Sequence, residues 1–545
     1  MRKFILAAVA AVLASQSAAQ APAPPRLMVV ISVDQFSADL WDEYRPQFTG
    51  GFARLASGTV FHNGYQSHAA TETCPGHSTL LTGDRPATTG IIGNTWVNQS
   101  LSRSDKSVYC AENELAPGSS SVAYKVSDQH LRAPTLGDRM KAVWPASRNV
   151  AVSGKDRAAV MMSGHHPDQR WYWDGKRYAT DVTSAAVPQS VIRANAAVQQ
   201  ILAAPGEGLQ PPPFCVGKAQ PITLEGSGKV VGNGTLSRAA GDATAFRASP
   251  ALDGSTLALA AGLVQEMKLG RGATPDLLSV SLSATDYVGH TYGPGGQEMC
   301  LQLLELDREL GDFFGFLDRT GIDYALVLSA DHGGLDIPER LRLHGVTDAA
   351  RVDPALAASA IGKAIAKTLG LSGPILIGDF SGDVWIDKAL TGVARTRALS
   401  EALKLYRLHP QVEAAFSRDQ IAKTPMPTGN PVQWTLIQRA RASFDPERSG
   451  DIVVFLKPHI TPIADTSRYV STHGSPWDYD RRVPLLFWRR GMAGFEQPAP
   501  VDTVDIAPSL AAMLRLAVPD GAFDGRCLDL DGGPNNTCAA PASPQ

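Results

Sequence analysis

The sequence predicts an α/β fold in which a central, mostly parallel β-sheet is flanked by helices and carries inserted cap elements. Nearly continuous apolar runs indicate strands that are buried on both faces, as in parallel sheets. Stretches with helical character separate these runs, and this alternation is typical of layered α/β proteins. The runs that support the prediction are 27–33, 149–152, 276–282 and 324–329.

The length, composition and net charge of the chain limit the classes of protein to which it can belong. The chain has 545 residues, which by size alone corresponds to about two to four domain-sized units. Its hydrophobic content of 44% and charged content of 19% are those of an ordinary globular protein. The formal net charge of −3 provides no basic field, so we predict no nucleic-acid partner.

The N-terminus has the features of a secretory signal peptide, predicted over residues 1–20. Arg2 and Lys3 precede the apolar run 4–13, and the small residues 17–19 form a cleavage site. The apolar run is too short to span a bilayer comfortably, and no later stretch of the sequence is long and apolar enough to do so. We therefore predict a periplasmic or secreted protein whose mature domain, 21–545, has no membrane span.

Export makes the six cysteines candidates for disulfides. Cys527 and Cys538 flank a loop rich in Gly, Pro and Asn and are the favoured pair. The pairing of the other cysteines is left open by the sequence, and Cys74 could also be a free buried thiol. These other cysteines are Cys74, Cys110, Cys215 and Cys300.

The first strand, 27–33, ends in Asp34, and open α/β sheets place their sites at such carboxyl ends of strands. The next informative stretch is 70–83, where Thr73 comes shortly before Pro75. Proline in a first helical turn and a hydroxyl residue before it predict a helix start capped by Thr73. Since a helix N-terminus can hold an oxyanion or phosphate, Thr73 is a candidate nucleophile.

The remaining elements follow in order along the chain. Residues 100–128 are polar and irregular, which predicts an insertion, and the strand 149–152 is followed by Lys155 and Arg157. Two more cap insertions are predicted at about 158–250 and 345–450. The other predicted elements are helices at 256–269, 296–319 and 505–514, a strand at 451–456 that returns to the central sheet, and a strand at 483–488.

Residues able to bind a metal follow the ends of several predicted strands. Asp286 and His290 are four apart, so a single helical turn would point both in the same direction. Asp331 and His332 follow the strand 324–329, and His473 lies in a Gly-containing loop. Carboxylate and imidazole together suit zinc, and several such clusters at strand ends, including Asp34, predict two metal ions.

Taken together, these motifs resemble the alkaline phosphatase superfamily, over nearly the whole mature chain. Asn94 in Gly-Asn-Thr-Trp and the Lys155-x-Arg157 pair make the sequence similar to the Thr-nucleophile alkaline phosphatases of the PhoK/PafA type. The motifs that carry the resemblance are Asp34, Thr73 in Thr-Cys-Pro-Gly-His, Asp286-x3-His290, Asp331-His332-Gly333 and His473 in Thr-His-Gly.

The resemblance implies an alkaline phosphatase-like fold and a zinc-dependent phosphomonoester hydrolase with a phosphothreonine intermediate. One zinc ion would be held by Asp286, His290 and His473. The other would be held by Asp34, Asp331, His332 and the Thr73 oxygen. Asn94, Lys155 and Arg157 would bind the non-bridging phosphoryl oxygens of small phosphate monoesters. A calcium ion (Ca²⁺) at a separate structural site is compatible with the sequence, although no motif specifies one.

Three alternative functions are less compatible with these residues. A nucleotide pyrophosphatase/phosphodiesterase of the same superfamily shares the metals and a Thr nucleophile, but Lys155 and Arg157 favour the greater charge of a monoester. A sulfatase would need a Cys-x-Pro-x-Arg motif, whereas Cys74 is followed directly by Pro75. An exported binding or adhesion protein with an inactive site is disfavoured because every matched ligand and the nucleophile are present.

Overall fold

The computed structural model describes residues 23–183, 186–533 and 536–538. The predicted signal peptide, 1–20, lies outside the described residues. The strands are β1 Leu27–Val33, β2 Thr59–Tyr65, β3 Thr95–Val97, β4 Ser107–Tyr109, β5 Asn149–Ser153, β6 Gln169–Trp173, β7 Tyr178–Ala179, β8 Ile222–Thr223, β9 Val230–Val231, β10 Asp276–Leu282, β11 Tyr324–Ser329, β12 Ala350–Arg351, β13 Leu376–Ile377, β14 Gly382–Ile386, β15 Val412–Ser417, β16 Ile452–Leu456, β17 Ile460–Thr461, β18 Arg482–Arg489, β19 Glu496–Gln497 and β20 Val501–Asp502.

The α-helices pack on the main sheet and on a smaller one. They are α1 Ala38–Tyr44, α2 Gly51–Ala56, α3 Thr73–Thr82, α4 Pro86–Thr89, α5 Leu136–Val143, α6 Asp156–Ser163, α7 Gln189–Ala203, α8 Pro213–Val216, α9 Ala243–Arg247, α10 Pro250–Glu266, α11 Ala284–Tyr292, α12 Gln297–Thr320, α13 Pro338–Leu343, α14 Ala358–Leu369, α15 Gly392–Leu408, α16 Arg418–Lys423, α17 Leu436–Ala442, α18 Asp478–Arg481 and α19 Ile506–Leu514.

The central sheet has ten strands in the order β19-β2-β18-β11-β1-β10-β5-β6-β7, with β20 beside β2. Its middle strands, β11, β1, β10, β5 and β6, run parallel, whereas β18 is antiparallel to both of its neighbours. Every residue of β1, β10 and β11 is buried, which explains their nearly unbroken apolar sequences. The predicted α/β class with a mostly parallel sheet is confirmed.

The register of the sheet brings the ends of its parallel strands level with one another. Val33 of β1 lies opposite Leu282 of β10, and Ser32 lies opposite Ser329 of β11. The residues that follow these strands therefore share one edge of the sheet, at its carboxyl ends, where open α/β sheets bind ligands.

The prediction for the strand at 451–456 is wrong in one respect, the sheet to which the strand belongs. Residues 451–456 were predicted to return to the central sheet, but β16 lies in a separate antiparallel sheet of order β13-β14-β16-β15. Helices α14 and α15 pack on one face of this sheet around their own apolar core, and α16 and α17 contact the other face. An apolar run of this length is compatible with any buried strand and does not specify its partner. Conversely, β6 lies within the predicted insertion 158–250 yet pairs with β5 in the central sheet.

Three disulfides are present in the described residues. The predicted pair Cys527–Cys538 is confirmed. Cys74 bonds to Cys110, so Cys74 is not a free thiol, and Cys215 bonds to Cys300. Among the helices that the structure describes, none combines the length and apolarity needed to cross a bilayer.

Candidate active site

Side chains from four strand ends meet at the carboxyl edge of the central sheet. Asp34 follows β1, Lys155 follows β5, Asp286 lies in the first turn of α11 after β10, and Asp331 follows β11. All four are almost completely buried, with exposures of 2% or less. Charged groups are rarely buried in this way unless they pair with one another or bind a metal.

Two groups of donor atoms in this cluster are close enough to share a metal ion. Asp34, Asp331 and His332 form one group, and Asp286, His332 and His473 form the other. Within each group the ligand atoms lie within 4.8 Å of one another. His332 belongs to both groups, and the rings of His332 and His473 stack with centroids 3.6 Å apart. The two potential sites are thus adjacent.

The histidines are oriented so that each presents Nε2 to the cluster. His290 Nδ1 lies 2.8 Å from the carbonyl oxygen of Ser471, His332 Nδ1 lies 2.8 Å from that of Gly333, and His473 Nδ1 lies 2.8 Å from that of Thr71. A carbonyl oxygen can only accept, so each Nδ1 carries the hydrogen and each Nε2 is left with a free lone pair. Metal-binding histidines are held by this kind of outer hydrogen bond.

The side chains present fit a divalent metal. Asp34 Oδ1 and His332 Nε2 are fully buried, lie 3.5 Å apart and make no hydrogen bond. Burying unpaired polar atoms is costly, whereas a cation between them would satisfy both. Carboxylate oxygen and imidazole nitrogen together are the donor set that zinc accepts.

Lys155 lies among the carboxylates. Its Nζ is 2.7 Å from Asp34 Oδ2 and 2.5 Å from Asp286 Oδ2. Burial alone would raise the pKa of Asp286, but His290 and Lys155 outweigh it and hold the pKa of that carboxyl well below its usual range. Lys155 thus neutralises two predicted metal ligands. The sequence predicted only that Lys155 would bind phosphoryl oxygens and did not predict these ion pairs.

Thr73 is the first residue of α3 and is fully buried. The structure corrects the predicted cap: Glu72 is the N-cap, and Pro75 is the third residue of the helix. The Oγ1 atom of Thr73 therefore forms no cap and instead accepts a hydrogen bond of 3.3 Å from Arg157 Nη2. Helix α3 can approach the end of β11 because residue 76 is glycine, where a Cβ atom would come within 2.0 Å of the Asp331 carbonyl oxygen.

Asn94 is fixed beside the start of α3 by three hydrogen bonds. Its Oδ1 accepts from the backbone N–H of Cys74 at 2.8 Å, and its backbone N–H donates to Glu72 Oε2 at 2.6 Å. Its carbonyl oxygen accepts from the Cys110 N–H at 2.9 Å. Because Oδ1 is used as the acceptor, the side-chain amide N–H groups remain to donate.

Arg157 is oriented by residues of the predicted insertion 100–128. Its Nη1 contacts the Tyr109 hydroxyl at 3.4 Å. Asp156 accepts hydrogen bonds of 2.7 Å from the hydroxyls of Tyr109 and Tyr124, which holds both rings in place. The insertion therefore holds the Arg157 side chain in place. Its irregular sequence did not indicate this role.

The structure brings all ten of the predicted site residues to this edge of the sheet. His290 is included, since its Nε2 lies 3.2 Å from Asp286 Oδ1, although it is outside both groups of three donors. The full set is Asp34, Thr73, Asn94, Lys155, Arg157, Asp286, His290, Asp331, His332 and His473.

Two residues that contact the cluster were not predicted from the sequence. Gln35 donates from Nε2 to Asp286 Oδ1 at 3.0 Å and from its backbone N–H to Asp331 Oδ1 at 3.1 Å. His77 Nδ1 lies 3.0 Å from Asp331 Oδ2 and 2.9 Å from the Thr73 carbonyl oxygen. The signal for Gln35 was its place directly after Asp34, and that for His77 was its position one helical turn after Thr73.

His77 is expected to position Asp331 for metal binding. Both neighbours of its Nδ1 are acceptors, so Nδ1 donates, while Nε2 lies 3.0 Å from Ser281 Oγ. Replacing His77 with leucine should weaken zinc retention about 10- to 100-fold, measured by competition with a chelator. His77→Asn, which keeps a donor near the Nδ1 position, should recover most of it.

The matched control for this experiment is Ser281→Ala, which removes only the partner of Nε2. Thermal unfolding of the metal-free variants separates metal affinity from loss of folding. If His77→Leu and His77→Asn retain zinc equally well, His77 has no positioning role.

Thr73 provides a buried hydroxyl at a helix start, and Arg157 donates a hydrogen bond to it. Both lie beside carboxylates and imidazoles that fit divalent metals. This arrangement defines a metal-dependent enzyme that acts on anionic esters. The comparisons with known proteins agree with this class. The sequence profile described as type I phosphodiesterase / nucleotide pyrophosphatase matches residues 28–476.

Similar proteins identify the family of enzymes within this class. The chain is 53% identical over 524 residues to the alkaline phosphatase PhoK of Sphingomonas sp., covering 95% of this chain and 93% of that protein. It is 47% identical over 517 residues to the alkaline phosphatase PhoD of Zymomonas mobilis, covering 94% and 89%. The crystal structure of the alkaline phosphatase PafA superposes with a TM-score of 0.82 at 26% identity, covering 94% and 100%. The chain therefore belongs to the alkaline phosphatase superfamily, in the family of phosphomonoester hydrolases that includes PhoK.

Proposed function

We propose that this protein is a zinc-dependent alkaline phosphatase that hydrolyses small phosphate monoesters through a covalent phosphothreonine. The observation that supports the proposal best is the contact between Thr73 Oγ1 and Arg157 Nη2 at the buried start of α3. A nucleophile and a cation for the phosphoryl oxygens are thereby placed together next to the carboxylate–imidazole cluster.

Two zinc ions are proposed, with Asp286, His290 and His473 holding one, and Asp34, Asp331, His332 and the Thr73 oxygen holding the other. The free Nε2 atoms of the histidines and the unpaired Oδ1 of Asp34 support this assignment. Bound zinc would lower the pKa of the threonine hydroxyl and stabilise charge on the entering and leaving oxygens. The proposal includes no separate structural calcium site, because the two groups of metal-binding donors found in the described residues both contain imidazole, whereas calcium prefers oxygen ligands.

In the first step, Thr73 Oγ1 attacks phosphorus and the bond to the ester oxygen breaks, which releases the alcohol. Water then hydrolyses the phosphothreonine to regenerate the hydroxyl and release inorganic phosphate. Arg157 and the amide N–H groups of Asn94 bind the non-bridging oxygens and stabilise the charge that develops on them. Lys155 supplies a further positive charge to the same oxygens in this proposal.

The site of action is proposed to be the periplasm or the extracellular medium. Three disulfides in the described residues are consistent with folding in an oxidising compartment. The N-terminal pattern of a positive region, an apolar run and small residues is that of a secretory signal.

The principal alternative is a nucleotide pyrophosphatase/phosphodiesterase of the same superfamily, since the matching profile carries that description. A monoester carries one more negative charge than a diester, so cations at the non-bridging oxygens matter more for it. Lys155→Ala or Arg157→Ala should lower kcat/KM for p-nitrophenyl phosphate by about 10²- to 10³-fold. The loss for bis-p-nitrophenyl phosphate should be about tenfold.

The exposed Lys176→Ala variant provides a control for removal of a positive charge elsewhere on the chain, and its kinetics should match the wild type. Equal losses on the two esters, or a wild type that prefers the diester, would contradict the monoesterase assignment.

A further inference from the structure

A third cation contacts the wall of this site. Arg247, the last residue of α9, places its guanidinium carbon 4.6 Å from the ring centroid of Tyr287. Lys155 Nζ lies 5.0 Å from the same centroid. We propose that Arg247 and Tyr287 form a subsite for a second anionic group, a carboxylate or a phosphate, on the leaving group of the substrate. The inference rests on the proposed phosphatase function and specifies its substrate class.

Arg247 has no acidic partner within ion-pair distance among the described residues, although it is partly buried. The acidic residue of the preceding turn is already engaged, because Asp242 Oδ1 accepts from the backbone N–H groups of Thr244 and Ala245 and caps α9. A partly buried guanidinium that stacks on a tyrosine keeps its hydrogen-bond donors free for an anion. A carboxylate or phosphate would satisfy them in a planar, bidentate manner.

The ring of Tyr287 links this cation to the reacting end of the site. The Arg247 guanidinium and Lys155 Nζ both lie within 5.0 Å of the centroid of that ring. An anion bound beside the ring would therefore lie between Arg247 and the cations that face Thr73, and the Tyr287 hydroxyl could donate a hydrogen bond to it.

The backbone around Arg247 is anchored to the main fold. The neighbouring Phe246 is fully buried, and its ring packs 5.3 Å from that of Trp173 in β6. Directly afterwards α10 begins, where Asp253 Oδ1 accepts a hydrogen bond of 3.0 Å from the backbone N–H of Ala284, at the start of α11. Since α11 carries Tyr287, the two halves of the subsite are held relative to each other, which reduces the entropy lost on binding.

The position of the subsite determines the size of the preferred leaving group. Tyr287 follows the proposed metal ligand Asp286 directly in sequence, and a single aromatic ring separates Arg247 from Lys155. An anion attached through two or three carbon atoms to the ester oxygen would reach Arg247 while the phosphoryl group faces Thr73. A neutral leaving group would leave Arg247 in contact with water.

The test compares pairs of phosphate esters in which one member carries a second anionic group and the other carries a neutral group at the same position. Phosphoglycolate is paired with phosphoglycolamide, and ethylene glycol bisphosphate with 2-hydroxyethyl phosphate, while p-nitrophenyl phosphate gives the baseline. Arg247→Gln should lower kcat/KM for at least one anionic member about tenfold, while its neutral counterpart and p-nitrophenyl phosphate change less than about twofold. A loss confined to one anionic member identifies the anion that the subsite takes.

Arg193→Gln, which removes an exposed arginine of α7 in the same insertion, is the matched control and should leave both pairs unchanged. Equal effects of Arg247→Gln on charged and neutral members, or no effect on either pair, would overturn the subsite while p-nitrophenyl phosphate is still hydrolysed. A wild-type protein that is inactive on p-nitrophenyl phosphate would instead overturn the proposed function and the subsite with it.

Discussion

Replacing Thr73 with alanine is expected to lower kcat/KM for p-nitrophenyl phosphate by at least about 10⁴-fold, as for other enzymes that lose their nucleophile. The loss follows because the hydroxyl is proposed to form the covalent bond to phosphorus. Thr73 Oγ1 makes one hydrogen bond, of 3.3 Å to Arg157. The fold should therefore survive, and the unfolding temperature should change little.

Two measurements make this expectation specific. Thr73→Ser keeps a hydroxyl at the same place and should retain most of the activity that Thr73→Ala loses. Acid quenching of the wild type during turnover, followed by mass spectrometry, should find phosphate on Thr73. Undiminished activity of Thr73→Ala, or phosphate on a different residue, would remove Thr73 from its role as nucleophile.

Removal of metal should abolish activity, and return of zinc should restore it. Asp34, Asp286 and Asp331 bring three carboxylates to a buried site where Lys155 is the paired cation. Divalent ions would offset the remaining negative charge and so stabilise the folded state. At a free ion concentration of a thousand times Kd, the gain is about 4 kcal/mol for one site. Chelation should therefore also lower the unfolding temperature.

The measurement is metal content by mass spectrometry together with activity, before chelation and during stepwise return of zinc. Activity should reach its plateau at two zinc ions per chain. His473→Ala should lower that stoichiometry, whereas His166→Ala, whose side chain is 70% exposed, serves as the matched histidine control. Full activity of metal-free protein, or a plateau at one ion, would contradict the two-zinc assignment.

Much of the site could be predicted from local sequence, because several of its predicted metal ligands come shortly after strands. Asp34 and Asp331 come immediately or almost immediately after buried apolar runs, and parallel strands bring their carboxyl ends to a common edge. Asp286 and His290 could be paired because a helix places residues four apart on one face. These relations depend on strand and helix geometry, which short stretches of sequence specify.

Contacts between segments far apart in the chain could not be predicted in this way. The apolar run Ile452–Leu456 suits any buried strand, and its partners in the smaller sheet are decided by packing. The Cys74–Cys110 disulfide also depends on where the insertion folds back onto α3. In both cases, the sequence of the segment indicates whether the segment is buried, but it does not indicate which other segment packs against it.

By itself, the sequence determined the fold class, the edge of the sheet at which the site forms and ten of the residues that gather there. The tertiary structure decided that Lys155 pairs with Asp34 and Asp286, that Tyr109 and Asp156 hold Arg157, and that Arg247 reaches Tyr287. The physical reason is that hydrophobic periodicity and strand ends are local properties of the chain. Ion pairs and ring contacts between distant side chains form only where packing brings those side chains together.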